Sequence, residues 1–118
     1  MSKTAAKSWL RAAIFSVQLG ACASLGDDYA LYDQMRASDV AMAARLMQDT
    51  LERAPDGAIR GRVNPKTGHR GAIAPTRTYL SENGHFCRAY REELVIGQET
   101  GQFQNTACRT DDGRWVWL

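Results

Sequence analysis

The residues best equipped for covalent chemistry are three cysteines, and their settings assign them different tasks. Cys22 closes the run Leu19-Gly20-Ala21-Cys22, where small residues suit a signal peptidase and the sulfur would take a diacylglycerol. The run reads as a bacterial lipobox. Cys87 and Cys108 are then left as an even pair, which an oxidising compartment such as the periplasm would join. A disulfide there closes a loop of about 22 residues, worth about 3 kcal/mol in the chain-entropy picture. Metal ligation and a catalytic thiol are the alternatives. There is no C-x-x-C pair, His69 and His85 are not at zinc-site spacing, and no base is marked for a thiol.

The surroundings of Cys22 fit export. Lys3, Lys7 and Arg11 precede the apolar stretch Ala12-Ala13-Ile14-Phe15-Ser16-Val17, and the first acid is Asp27. A basic segment, an apolar segment and small residues in that order predict a signal peptide over 1–21. Residues 22–38 are then expected to be a lipidated N-terminus and tether, and 39–118 the folded domain. Acyl chains on Cys22 make the lipid membrane the first expected partner, each buried methylene contributing about 0.8 kcal/mol. Residue 23 is Ala, not the Asp that retains many lipoproteins in the inner membrane, so the expected location is the outer membrane, lipid-anchored and periplasm-facing. The alternative is an amphipathic N-terminal helix with Cys22 as a small buried hydrophobe.

Other polar residues give no catalytic constellation. Glu92 and Glu93 are neighbours on an expected strand and point to opposite faces. Asp111-Asp112-Gly113 lacks the further oxygen ligands of a calcium loop. His69 and His85 read as surface residues. No catalytic or metal site, cofactor or enzymatic activity is expected. From Gly57 to Ser81, however, Arg60, Arg62, Lys66, Arg70 and Arg77 occur without an acid. They are candidates for binding an anionic glycan, such as lipopolysaccharide or peptidoglycan, with a solubilising hairpin surface as the alternative. A net charge of +2 does not point to nucleic acid. The functional expectation is a structural or accessory subunit of a membrane-associated protein complex, with an anionic-polymer module as the other reading.

These residues need a scaffold, and 118 residues with 44% apolar and 24% charged side chains suit one domain. Val40, Ala43, Ala44, Met47, Leu51 and Ala54 predict a helix over Asp39 to Ala54, with Ser38 as N-cap and Pro55-Asp56-Gly57 as stop. Strands are expected over 58–63, 69–74, 76–82, 85–96, 102–109 and 114–118. They are punctuated by Asn64-Pro65-Lys66-Thr67-Gly68, by Asn83-Gly84 as a type I′ turn, and by Asp111-Asp112-Gly113. The fold class is α+β: one N-terminal helix on an antiparallel β meander of about five to six strands, with one disulfide. If Gly97-Gln98 forms a two-residue turn, Ile96 faces Glu99 and, counting back, Cys87 faces Cys108; a longer loop from Gly97 to Gly101 would shift the register and require a bulge. Phe86, Tyr90, Leu94, Phe103, Ala107 and Tyr79 would form the core face, and Trp115 and Trp117 share one face with Val116 opposite.

The last 60 or so residues resemble the C-terminal domain of the bacterial 17 kDa surface-antigen family of outer-membrane lipoproteins. The likeness is carried by Asn64-Pro65-Lys66-Thr67-Gly68 with Gly71, by Pro75-Thr76-Arg77-Thr78-Tyr79 and by Cys87-Arg88-Ala89-Tyr90. Thr106-Ala107-Cys108-Arg109 and Asp112-Gly113-Arg114-Trp115 complete it. With the helix it extends from about Asp39 onward. The resemblance implies an envelope location and antigenicity, and supplies no catalytic residues. Many members carry a glycine-zipper segment between lipobox and domain, whereas Ala23 to Ser38 here contains only Gly26.

Overall fold

The computed structural model describes residues 30–118. The expected signal over 1–21 and Cys22 lie outside the described residues. A helical turn over 30–33 leads into helix α1 (Ala37–Arg53). Strands β1 (Arg60–Val63), β2 (Arg70–Leu80), β3 (Phe86–Ile96), β4 (Glu99–Arg109) and β5 (Trp115–Trp117) follow. They form one antiparallel sheet in the order β1-β2-β3-β4-β5, with α1 on one face. This is the expected α+β meander, with five strands.

Helix α1 begins earlier than its apolar period suggests. Its N-cap is Arg36, not Ser38. Asp39, in the first turn, accepts the Arg36 backbone N–H at 2.8 Å and satisfies one donor left over at the helix start. The Ser38 hydroxyl accepts from Asn64 instead. Leu46, Met47 and Leu51 face the core, while Val40 is 53% exposed, so the packed stripe is rotated from the expected one. Pro55 disfavours helical geometry at Ala54, and the helix stops there.

Strand β2 replaces two expected strands. The chain does not break at Pro75; it passes through a bulge between Pro75 and Arg77. Pro75 lies beyond the last residue paired with β1, Ile73, so its missing N–H breaks no ladder on that side. Its carbonyl accepts the Gly57 N–H at 2.7 Å.

The β2–β3 turn is also a correction. Ser81 pairs with His85 around the loop Glu82-Asn83-Gly84, and positive φ falls on Gly84 alone, at +85°. A type I′ turn would need positive φ at Asn83 as well. The extra loop residue shifts the register by one. Tyr79 therefore pairs with Cys87 and lies on the face away from α1. Phe86, expected in the core, is 56% exposed because it lies beyond the helix end.

Strands β3 and β4 follow the expected register from Ile96↔Glu99 to Cys87↔Cys108, with Gly97 at φ +63°. The core beneath α1 is Leu51, Ile73, Tyr90, Ala107 and Trp115. A second cluster joins Leu31, Leu94, Ile96 and Phe103. Leu31 is only 2% exposed, so the packed unit begins before residue 39, within the stretch expected to be a tether. Gly101 makes room for it: a Cβ there would lie 3.0 Å from Leu31 Cδ2.

Candidate interaction surface

One end of the sheet is organised around a buried carboxylate. Asp39 is 0% exposed, and its Oδ1 accepts from Asn64 Nδ2 at 2.7 Å and Thr67 Oγ1 at 2.8 Å. Its Oδ2 accepts from the Arg36 N–H and lies 2.7 Å from His69 Nδ1. Burial pushes the Asp39 carboxyl upward, but these hydrogen bonds outweigh it and hold the group well below the ordinary carboxylate range. The ionised carboxylate can only accept, so His69 Nδ1 must carry the proton. The turn itself is four residues, because Asn64 and His69 close a backbone pair around 65–68. Asn64 Oδ1 accepts the Lys66 N–H and Thr67 Oγ1 the His69 N–H. Local turn bonds thus aim the polar side chains at the start of α1. His69, read from sequence as a surface residue, is a structural ligand of Asp39.

The other end is held differently. Cys87 and Cys108 are joined, with Cα atoms 4.0 Å apart. On the opposite face Arg88 is buried and each of its three side-chain nitrogens is bonded: Nη1 donates to the Leu51 carbonyl, Nη2 to Asp56 Oδ1 and Nε to Thr78 Oγ1. The Arg88 and Thr78 hydrogen bonds hold the Asp56 carboxyl below its usual value. Trp115 locks β5 to the helix through backbone bonds in both directions with Gln48, and its indole N–H donates to Glu52 Oε1 at 2.9 Å. Burial pushes the Tyr90 hydroxyl up to about 12, against the Trp117 indole N–H that it accepts at 2.6 Å.

The register distributes the candidate cations over two faces. Arg60 and Arg62 pair with Ile73 and Gly71 on the helix side, while Arg70 and Arg77 lie on the open side. Arg77 sits 4.7 Å over the Tyr79 ring, far along the sheet from Arg70. Arg62 lies across Gly71, where an added Cβ would meet its Nη2 at 2.6 Å. Among the described residues Arg62 Nη1 and Nη2 are buried and have no hydrogen-bond partner. Lys66 lies within the Asn64–His69 turn, and Arg70 directly follows it at the start of β2.

The open face carries a shallow depression of about 790 Å³ lined in part by Thr76, Ala89, Arg91, Gln104, Thr106 and Leu118. Arg91 is the one charged side chain in that lining. No cluster of three or more metal-ligating side chains occurs among the described residues.

A single sheet covered by a helix on one face, open on the other and closed by one disulfide defines a small α+β domain. The chain belongs to the family described as 17 kDa outer membrane surface antigen, whose model matches residues 49–116. It is 35% identical over 81 residues to the 17 kDa surface antigen of Rickettsia bellii (strain RML369-C), covering 69% of this chain and 51% of that protein. Identity is 36% over 81 residues to the 17 kDa surface antigen of Rickettsia conorii (strain ATCC VR-613 / Malish 7), with the same coverage. It is 37% over 68 residues to that of Rickettsia prowazekii (strain Madrid E), covering 58% of this chain and 43% of that protein. The chain spans about half the length of the curated relatives it matches. No solved structure matches it.

Proposed function

We propose that the protein is an outer-membrane lipoprotein, anchored through acylated Cys22 and facing the periplasm, whose domain serves as a non-enzymatic structural or accessory subunit of a membrane-associated assembly. The observation that carries this reading is the burial of Leu31 against Leu94, Ile96 and Phe103. Leu31 stands nine positions after Cys22 in the sequence. Nine residues reach about 30 Å at full extension, so a lipid on Cys22 would hold the Gly97 end of the sheet near the bilayer. Family membership supports the outer-membrane location. Metabolic labelling with a fatty-acid analogue tests the anchor. The native chain should be labelled, and globomycin should make an uncleaved form accumulate. Cys22→Ser should lose the label and leave the membrane fraction, and a native chain that takes no label would overturn the reading.

A second reading, a module for anionic envelope polymers, is favoured by the placement of Lys66 and Arg70 at that same end. Arg62, with its unpartnered guanidinium nitrogens, lies on the adjoining strand. Retention on peptidoglycan or lipopolysaccharide should fall as salt rises. It should also fall on replacing Lys66 and Arg70 by Ser, and unchanged retention in both arms removes this reading.

A further inference from the structure

The arginines on the two faces of the sheet are balanced differently. On the helix side Arg88 and Arg109 are paired with Asp56 and Glu52. On the open side the register places Arg70, Arg77 and Arg91, and none of them has an acidic partner among the described residues. Glu93 is the one acid among the strand residues of that side, and it accepts from Gln102 Nε2 at 3.4 Å. Two of the three arginines stand close together. Arg77 pairs with Ala89, and Arg91 is two residues further along β3, so their Cα atoms are about 8 Å apart. Arg70 is about 14 Å from Arg91 by the same strand geometry.

Ala89 makes a hollow between Arg77 and Arg91. One row across the sheet runs from Arg77 through Ala89 to Thr106, and the next sets Arg91 beside Gln104. Ala89, Arg91, Gln104 and Thr106, with Thr76 at the bulge, line part of the depression of about 790 Å³. The Arg77 guanidinium is stacked 4.7 Å over the Tyr79 ring, which fixes its plane and leaves its in-plane N–H groups free for a planar oxyanion. We propose that this hollow binds a carboxylate-bearing glycan, of the kind peptidoglycan presents on its peptide stems. Arg77 and Arg91 hold the carboxylate groups, and Gln104 and Thr106 take the neighbouring amide and hydroxyl groups. Charge complementarity sets the sign of the ligand. Glu93 limits its charge: it is about 7 Å from Arg91 on the same face and repels a phosphate dianion more than a carboxylate. Neutral donors and acceptors beside the cations match a sugar, whose polar groups are mostly uncharged. Arg77 and Arg91 lie on β2 and β3, inside the sheet, so the site depends on neither of its edges. It is also separate from the Lys66–Arg70 end.

Pelleting of the full chain with purified peptidoglycan sacculi, in non-ionic detergent, tests the site. The native chain should pellet, and Arg77→Gln and Arg91→Gln should each weaken binding about tenfold. Arg45→Gln, which removes the same charge from an exposed position on α1, should leave binding unchanged. Amidating the carboxyl groups of the sacculi should abolish it, and soluble peptidoglycan fragments should compete better than lipopolysaccharide. A native chain that does not pellet overturns the inference, as does equal binding to amidated sacculi. Stronger competition by lipopolysaccharide does so too, because the anion would then be a phosphate. An Arg77→Gln, Arg91→Gln double variant that pellets like the native chain overturns this site while leaving the Lys66–Arg70 reading standing. Both arginines are exposed, so the variants should melt with the native chain. If either melts lower, Arg→Lys at that position, which keeps the charge and loses the planar fork, should show the same weakening, and native binding by it overturns the site.

Discussion

The two ends of the sheet are held by opposite kinds of chemistry. At the Gly97 end, the fold depends on donors converging on one carboxylate and on Leu31 filling the space above Gly101. At the far end a covalent bond does the joining, and Arg88 ties the helix terminus to β2 and the loop at Asp56. The polar end should therefore fail in acid and the covalent end under reduction. A disulfide restricts the unfolded chain more than it adds to the folded one, whereas the Asp39 cluster acts wholly within the folded state. The same helix bridges both, so damage at either end loosens its packing on the sheet.

The largest expected effect comes from Asp39→Asn, at about 3 to 4 kcal/mol in chemical denaturation. The amide keeps one acceptor oxygen and turns the other into an N–H, so either Asn64 and Thr67 or Arg36 and His69 face a donor where they need an acceptor. Acid should reach the same result. Because the folded-state pKa of Asp39 is depressed, its stabilisation is complete above the unfolded value of about 4 and is lost as pH falls below it. Glu52 and Asp56 are depressed in the same direction, but both are well exposed to solvent and contribute less. Hydrogen exchange at falling pH should expose Gly68 and His69 before Cys87. Simultaneous loss of protection at both ends would mean that the two ends open as one unit.

Replacing Cys87 and Cys108 together by Ser should cost about 3 kcal/mol, the value for a loop of this length. Reduction of the native protein should match it, and the Asp39 cluster should keep its exchange protection at temperatures below the new midpoint. Gly101→Ala should cost about 1 to 2 kcal/mol, since its methyl needs space held by Leu31 and Phe103. Pairing it with Leu31→Ala should recover part of that loss if Leu31 is the obstacle.

The covalent end is legible in the sequence, and the polar end is not. Cys87 and Cys108 announce themselves by number, and the two-residue turn at Gly97-Gln98 placed them opposite each other by counting. Trp115 and Trp117 share a face because strand alternation is strict. Asp39 carries no comparable signal: its partners Asn64, Thr67 and His69 stand 25 to 30 residues away, and a helix-start acid ordinarily faces water. Arg88 was hidden for the same reason, since alternation marks its face but not the carbonyl and carboxylate waiting there. Leu31 precedes the periodic part of the helix, so nothing local distinguishes it from a linker residue. Pro75 and Asn83 misled in the other direction. Each is a strong local signal overridden by its setting, one beyond the paired stretch of β1 and one in a loop a residue longer than the dipeptide suggests.

The two asparagine turns give the smallest effect and the clearest contrast. Asn83→Ala should change stability by no more than about 0.5 kcal/mol, because Gly84 alone supplies the positive φ and Asn83 is exposed. Asn64→Ala, at the start of the other turn, removes the donor to Ser38 and Asp39 and the acceptor of the Lys66 N–H. It should cost about 2 kcal/mol or more. Thermal melts of the two variants side by side measure the difference. Equal losses would mean that the Asn64 turn acts through backbone geometry, as the Asn83 turn does, and that the side-chain bonds to Asp39 contribute little.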